Sequence, residues 1–290
     1  MKKLLFLLLP FTLFAHLNIA VSYPYIGAIT KTIGGDHIST IVLAQGSFDP
    51  HFITPKPSLI AKLRGADGLI INGGGLEIGW IPPLLKRASN TKLASNSKSF
   101  LDLSKAIELM GAVDVVDRAD GDVHPEGNPH FHLSPANILL LAKNIKEFLI
   151  SIDGEHRDIY EKNYSDFNAS WNIKMGEWAK NMADKKGIKV LQYHDVFAYF
   201  NDYYGIKSIG TIEPLPGIAP SSKHTLELLK LIDEQKPCCI LHDVYHPTKT
   251  AEFISAKSGI GVVVLPHDIE AMSSITNLEV LFDFLTTHIR

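Results

Sequence analysis

Four histidines of this chain occupy loops that follow apolar strands or comparable junctions: His51, His130, His194 and His267. Neutral imidazole nitrogens are common ligands of zinc and related metals. In parallel sheets the loops at the carboxyl ends of strands form the ligand-binding edge. Two of these histidines lie in each half of the chain, so two facing lobes would direct all four into one cleft. The sequence therefore predicts a metal site formed by these four side chains.

The prediction depends on the four positions taken together, because a single histidine in a loop is usually a solvated or capping residue. The other histidines fit the site less well. His37, His156, His224 and His288 lie on predicted helix faces or turns and are expected at the surface. His242 and His246 stay open, since His242 also ends a predicted strand.

The composition is that of a globular protein of two domains. The chain has 290 residues, of which 46% are hydrophobic and 20% charged, and its formal net charge is −3. These values exclude a disordered chain and a multi-span membrane protein. Without a basic surplus, a nucleic-acid partner has little support.

The first fifteen residues read as a secretory signal. Lys2 and Lys3 precede an apolar run that ends at Phe14, and Ala15 is a suitable small residue at a cleavage site. The run is shorter than the about 20 residues of a membrane span. Since no cysteine follows it, we expect a soluble periplasmic protein without a lipid anchor. The two cysteines, Cys238 and Cys239, are adjacent and are expected to pack as small core residues.

Short apolar runs alternate with amphipathic stretches in both halves of the chain. Strands are predicted at 17–21, 40–43, 68–71 and 113–116, and at 188–193, 207–212, 238–242 and 261–265. Helices are predicted at 25–33, 57–63, 81–88 and 101–109, and at 196–203, 223–234, 248–258 and 278–288. This alternation predicts an α/β fold of two lobes, each with a parallel sheet flanked by helices.

A single long helix is predicted between the lobes, over residues 155–185. Its aromatic and methionine residues recur every three or four positions, and the stripe stays in phase across Gly176. At 1.5 Å per residue such a helix would span about 46 Å and hold the lobes at a fixed separation. The expected organisation is a signal at 1–15, an N-terminal lobe at 16–154, the linking helix and a C-terminal lobe at 186–290.

Several ordered motifs resemble the metal-binding receptors of ABC importers for zinc and manganese. The motifs cover essentially the whole chain after the signal. They are Asp49-Pro-His51-Phe-Ile-Thr-Pro-Lys-Pro-Ser58, Ala66-Asp67 to Gly73 with Gly75-Leu-Glu77, Asn128-Pro-His130 with Leu133-Ser-Pro135, the run from His194 to Phe200, Pro216-Gly-Ile, and Pro220 to His224.

The resemblance implies a two-lobed fold with a rigid helix and a metal in the cleft between the lobes. His51, His130 and His194 fall on three histidine ligands of that family. The fourth position departs, because many members carry an Asp in a Leu-Asp-Pro-Leu-like segment where this chain has Val264-Leu-Pro-His267-Asp268. Either His267 or Asp268 could bind the metal, and we expect His267. His132 stands where many relatives carry Trp, and is expected to pack or to support a ligand.

An acidic segment precedes His130, and it contains Asp117, Asp120, Asp122, His124 and Glu126. Zinc-specific members of the family often have a longer acidic, histidine-rich loop in this region. The spacing does not match a calcium-binding Asp-x-Asp-x-Asp-Gly loop. Two interpretations stay open, a solvated turn and a weak metal-collecting loop.

We predict that the protein is a zinc receptor that delivers its ion to an ABC permease in the inner membrane. We expect it to act as a monomer. Three imidazoles favour Zn²⁺ over Mn²⁺, which prefers more oxygen ligands, although a manganese or iron receptor is an alternative. A zinc hydrolase is a further alternative, because His130-Phe-His132 has the spacing of a paired ligand. However, the chain has no His-Glu-x-x-His motif and no obvious general base, so we expect no enzyme. A surface adhesin is the last alternative.

Overall fold

The computed structural model describes residues 16–112 and 124–289. The predicted signal at 1–15, the strand predicted at 113–116 and the acidic residues Asp117, Asp120 and Asp122 lie outside the described residues. Within these ranges, no helix is both long enough and apolar enough to cross a membrane.

The first half of the chain forms a parallel sheet of four strands in the order β2-β1-β3-β4. Its strands are β1 (Leu17–Val21), β2 (Ile38–Val42), β3 (Gly68–Ile71) and β4 (Phe100–Asp102). The two central strands are the most apolar, and both are largely buried. This is expected for a parallel sheet that helices cover on both faces.

The second half repeats the same arrangement, with the parallel strand order β6-β5-β7-β8. Its strands are β5 (Lys189–Gln192), β6 (Lys207–Thr211), β7 (Cys239–His242) and β8 (Gly261–Val264). In each sheet the strand order reverses beside the first strand, and this is where open parallel sheets bind ligands. The predicted fold of two α/β lobes is confirmed.

Nine helices connect and cover the strands of the described residues. They are α1 (Pro24–Gly34), α2 (Pro57–Arg64), α3 (Ile81–Ala88), α4 (Pro135–Ile152), α5 (Arg157–Asn181), α6 (Ala198–Tyr204), α7 (Ser222–Gln235), α8 (Lys249–Ser258) and α9 (Leu278–His288). Proline in the first turn starts α1 to α4, where its missing N–H costs no hydrogen bond. Side-chain oxygens of Ser221 and Asn277 cap α7 and α9.

The helix predicted at 101–109 is wrong, and α4 was not predicted. Phe100–Asp102 is instead the edge strand β4, paired with β3. The Asp102 carboxylate then accepts a hydrogen bond from the Ser104 backbone N–H at 3.0 Å, which starts a short 3₁₀ turn rather than an α-helix. In α4, Ile138, Leu141 and Ile145 are fully buried, so its apolar face has the helical period.

The long linking helix is continuous across Gly176, as predicted, but it is shorter than 155–185. Helix α5 has 25 residues, which corresponds to about 37 Å. A 3₁₀ turn at Gly154–His156 precedes it, and Asp153 holds this turn by contacting the His156 ring at 2.8 Å. Helix α5 ends at Asn181, and the residues from 182 to 185, which were predicted to be helical, form turns instead.

Helix α5 packs against helices from both halves of the described chain. The Trp171 indole N–H donates to the Pro135 carbonyl at the start of α4, at 2.8 Å. The Trp178 indole N–H donates to the Asp283 carboxylate of α9, at 2.7 Å. Phe282 of α9 packs against both indole rings. The last helix of the predicted C-terminal lobe therefore packs on the linking helix.

Candidate metal centre

Three of the four predicted ligands lie together. The Nε2 atoms of His51 and His130 are 3.4 Å apart, and those of His130 and His194 are 3.3 Å apart. One nitrogen from each of the three residues lies within 4.8 Å of the others. Two nitrogens bound to a tetrahedral zinc at 2.0–2.1 Å are about 3.3–3.4 Å apart, so the spacing fits a shared ion.

His51 lies in the loop between β2 and α2. The Asp49 carboxylate accepts a hydrogen bond from the His51 backbone N–H at 2.9 Å, which makes a local turn. Pro50 fixes the chain between them, and its carbonyl accepts from the Tyr23 hydroxyl at 2.9 Å. The sequence Asp-Pro-His thus presents the imidazole from a turn that is tied to the end of β1.

His130 lies just before a 3₁₀ turn, Phe131–Leu133, that leads into α4. The Asn128 side chain accepts a hydrogen bond from the His130 backbone N–H at 2.8 Å. The same side chain donates to the carbonyl of Asp195 at 2.7 Å, and Asp195 follows His194 directly. Asn128 therefore joins the loop of the first half to the loop of the second half beside the histidine cluster.

His194 follows β5, and a buried carboxylate orients its ring. Its Nδ1 is 2.8 Å from Glu213, which is also buried. A carboxylate at this position keeps the proton on Nδ1 and leaves the Nε2 lone pair free for a metal. His246 contacts the other oxygen of Glu213 at 3.4 Å and Asp243 at 2.8 Å. Burial opposes a charge on His246, but its hydrogen bond with Asp243 and the nearby carboxylates raise its pKa.

The cluster favours neutral imidazoles. Burial, followed by the neighbouring histidines, lowers the pKa of His51 and of His130 well below 6.5. A metal ion requires the unprotonated ring, so these two residues are ready to bind at neutral pH.

His267 is buried but lies outside the three-histidine cluster. Its ring packs edge-on against Tyr245, with ring centres 4.7 Å apart, and burial lowers its pKa to about 4. Asp268 is buried as well, which raises its pKa, and it accepts a hydrogen bond from the Ile269 backbone N–H at 2.6 Å. Both residues line a small cavity together with His130. The fourth ligand stays a prediction.

His132 packs behind the cluster. Its ring stacks on Tyr25 with a centre separation of 4.4 Å, and its Nε2 donates to the backbone carbonyl of His267 at 2.8 Å. This hydrogen bond links the segment of His130 to the segment that carries the disputed fourth ligand.

Two residues in contact with the cluster were not assigned to it from the sequence. Glu213 follows β6, so the rule that placed the histidines at strand ends could have found it. His124 belongs to the acidic segment, and its Nε2 lies 3.2 Å from Nδ1 of His51. Its spacing from His130 gave no indication of that contact, because a turn at Gly127 folds the chain back between them.

A sequence model of a known family matches nearly the whole described chain. The family is described as zinc-uptake complex component A, periplasmic, and the match covers residues 19–277. The zinc-binding lipoprotein AdcA of Streptococcus pneumoniae is 23% identical over 249 residues, which are 86% of this chain and 49% of AdcA. The chain thus spans about half the length of that relative.

Further relatives include manganese receptors and solved structures. The manganese ABC transporter substrate-binding lipoprotein PsaA of Streptococcus anginosus is 30% identical over 200 residues, which cover 66% of this chain and 60% of PsaA. A crystal structure of ZnuA superposes with a TM-score of 0.75 at 26% identity, over 94% of this chain and 99% of that one. A zinc-bound deletion mutant of ZnuA gives 0.78 at 25% identity, over 94% and 96% of the two chains.

Proposed function

The chain belongs to the family of zinc-uptake complex component A, and from this premise we propose that it captures a divalent metal ion outside the cytoplasm and delivers it to an ABC importer. The family consists of binding receptors rather than enzymes. The observation that carries the proposal is the cluster of His51, His130 and His194, whose nitrogens have the spacing of ligands to one ion.

Zinc is the ion we propose. Imidazole nitrogens suit Zn²⁺, whereas Mn²⁺ prefers carboxylate and carbonyl oxygens. The cluster offers three imidazole nitrogens, a donor set that suits Zn²⁺. A manganese receptor is the second candidate, because several of the relatives are named manganese receptors.

Within the site, we propose that His51, His130 and His194 bind through Nε2. The fourth ligand would come from the segment after β8, and His267 is the residue we favour. Its Nδ1 is buried and makes no hydrogen bond within the described ranges, so it is available to an ion. The Asp268 carboxylate, in contrast, already accepts from the Ile269 backbone N–H.

We also propose that the protein is located in the periplasm, that its partner is a permease in the inner membrane, and that it acts as a monomer. The predicted absence of a lipid anchor stays a prediction, since AdcA and PsaA are both named lipoproteins. Mass spectrometry of the mature protein would give the cleavage site and any attached lipid.

Metal competition tests the function directly. We expect the purified, metal-stripped protein to retain one Zn²⁺ per chain after dialysis against equal Zn²⁺ and Mn²⁺. A variant with alanine at His51, His130 and His194 should retain none. Preferential retention of Mn²⁺ would contradict the zinc assignment, and equal metal content in both proteins would contradict the site.

A further inference from the structure

We propose that His124 is a positioning residue for the metal ligand His51. The proposal rests on the proposed function, because it concerns how the capture site is prepared for its ion. His124 contacts the side of the His51 ring that faces away from the cluster. Its Nε2 is 3.2 Å from Nδ1 of His51, while Nε2 of His51 faces His130 at 3.4 Å.

The contact with His124 can hold His51 in the tautomer that binds a metal through Nε2. A neutral imidazole carries its proton on one nitrogen and accepts with the other. When Nδ1–H of His51 donates to Nε2 of His124, the lone pair of His51 is left on Nε2. The opposite form would place a hydrogen towards His130, where the ion must bind.

The backbone holds the His124 ring in place. The His124 carbonyl accepts a hydrogen bond from the Gly127 N–H at 3.0 Å, which closes a turn. On the other side, the ring lies against Gly75, where a Cβ atom would come within 2.9 Å of Nδ1 of His124. Gly75 has a φ of +79°, so glycine suits both the backbone and the space that the ring requires.

The arrangement around His194 supports this role. There the outer nitrogen contacts Glu213 at 2.8 Å, and at His51 the corresponding nitrogen contacts His124. Outer partners of this kind fix the orientation and tautomer of a metal-bound histidine, and their loss commonly costs about 10- to 100-fold in metal affinity. His124 also lines the open cavity that reaches His130 and His194, so it is placed at the mouth of the cluster.

The test compares the zinc affinity and dissociation rate of His124→Ala and His124→Gln with those of the wild type. We expect His124→Ala to bind Zn²⁺ about 10- to 100-fold more weakly, through faster dissociation. His124→Gln should recover most of the loss, because its amide oxygen can accept from Nδ1–H of His51. The matched control is His288→Ala, which changes an exposed histidine on α9 and should leave both quantities unchanged.

Three further measurements separate this role from others. The melting temperature of the zinc-free protein should be equal in the wild type and the His124 variants; a large decrease in both variants would indicate a structural role instead. X-ray absorption at zinc should count the same number of imidazoles with and without His124, and one fewer in His124→Ala would make it a ligand. Slower association with unchanged dissociation would make it an access residue. If the wild type binds no Zn²⁺, the proposed function is overturned, whereas the contact between His124 and His51 is not.

Discussion

At the scale of single residues, His130 is the central member of the histidine cluster, since its Nε2 contacts both other histidines. We expect saturating Zn²⁺ to raise the melting temperature of the wild type, because the assembled site of the folded chain binds the ion more tightly than the unfolded chain does. His130→Ala should abolish most of that increase, as measured by differential scanning fluorimetry. His288→Ala should keep it, and equal increases in both variants would show that the metal binds elsewhere.

The fourth ligand is also a question about single residues. We expect His267→Ala to lower zinc affinity strongly, because His267 lines a cavity shared with His130 and its buried Nδ1 has no hydrogen-bond partner among the described residues. Asp268→Ala should cost about 10- to 100-fold, the usual effect of a group that supports a ligand. Calorimetric titration of both variants decides between them. A larger loss in Asp268→Ala would identify the carboxylate as the ligand.

The three clustered histidines could be predicted from the sequence because each follows a strand or lies next to proline or asparagine. These are local features, and they do not depend on how distant parts of the chain pack. It could not separate His267 from Asp268, since neighbouring residues differ only in direction, and direction depends on packing against Tyr245 and Ile269. The contact between His124 and His51 was beyond sequence reasoning for a similar reason. It needs the turn at Gly127 and the space beside Gly75, and both are tertiary features.

At the scale of elements, the strands were easier to predict than the helix ends. Central strands such as β1 and β3 are mostly apolar, and their observed bounds equal the predicted ones. Strand β4 is a three-residue edge strand, and so short a segment has no period of its own. Its identity comes from hydrogen bonds to β3, and the sequence does not display them.

Helix α5 offers a test of element stability at Gly176. A Cβ atom there would meet no atom within 4 Å, and the backbone is helical. We expect Gly176→Ala to raise the free energy of unfolding by about 0.5–1 kcal/mol, because alanine loses less entropy in a helix. Urea denaturation of the zinc-free protein measures this change.

Gly73→Ala is the control for the Gly176→Ala experiment, because we expect it to lower the stability rather than raise it. Gly73 has a φ of +81°, and a Cβ atom would overlap the Asp102 carboxylate. We expect this variant to be clearly less stable than the wild type. A destabilised Gly176→Ala would instead indicate that α5 is bent or contacted at this position.

At the scale of the whole molecule, several buried imidazoles link stability to pH. Burial lowers the pKa of five histidines in the folded chain. The pKa falls to about 4 for His124, His132 and His267. It falls well below 6.5 for His51 and His130. Below pH 6.5 the unfolded chain binds protons at these residues, whereas the folded chain does not. The free energy of unfolding must therefore fall as the pH falls from 6.5 towards 4.

Two buried carboxyls act in the opposite direction. Burial raises the pKa of Glu77 to about 7 and that of Asp268 well above 3.8, so each binds a proton in the folded state that the unfolded chain releases. Burial also raises the pKa of Asp49, and, although burial opposes a charge on His246, the hydrogen bond with Asp243 raises the pKa of that residue. Together these four groups offset only part of the effect of the five histidines. We expect the zinc-free protein to be less stable towards urea at pH 5 than at pH 7. Equal or greater stability at pH 5 would contradict the burial of the cluster.

The contact between α5 and α9 has a consequence for cooperativity. Phe282 and Asp283 of α9 complete the surroundings of Trp171 and Trp178, which are more than a hundred residues earlier in the chain. The linking helix therefore acquires its last partner only when the second half of the chain is in place. Since loss of this contact would expose the indole rings of α5, both lobes should unfold in one transition, and tryptophan fluorescence would report that transition.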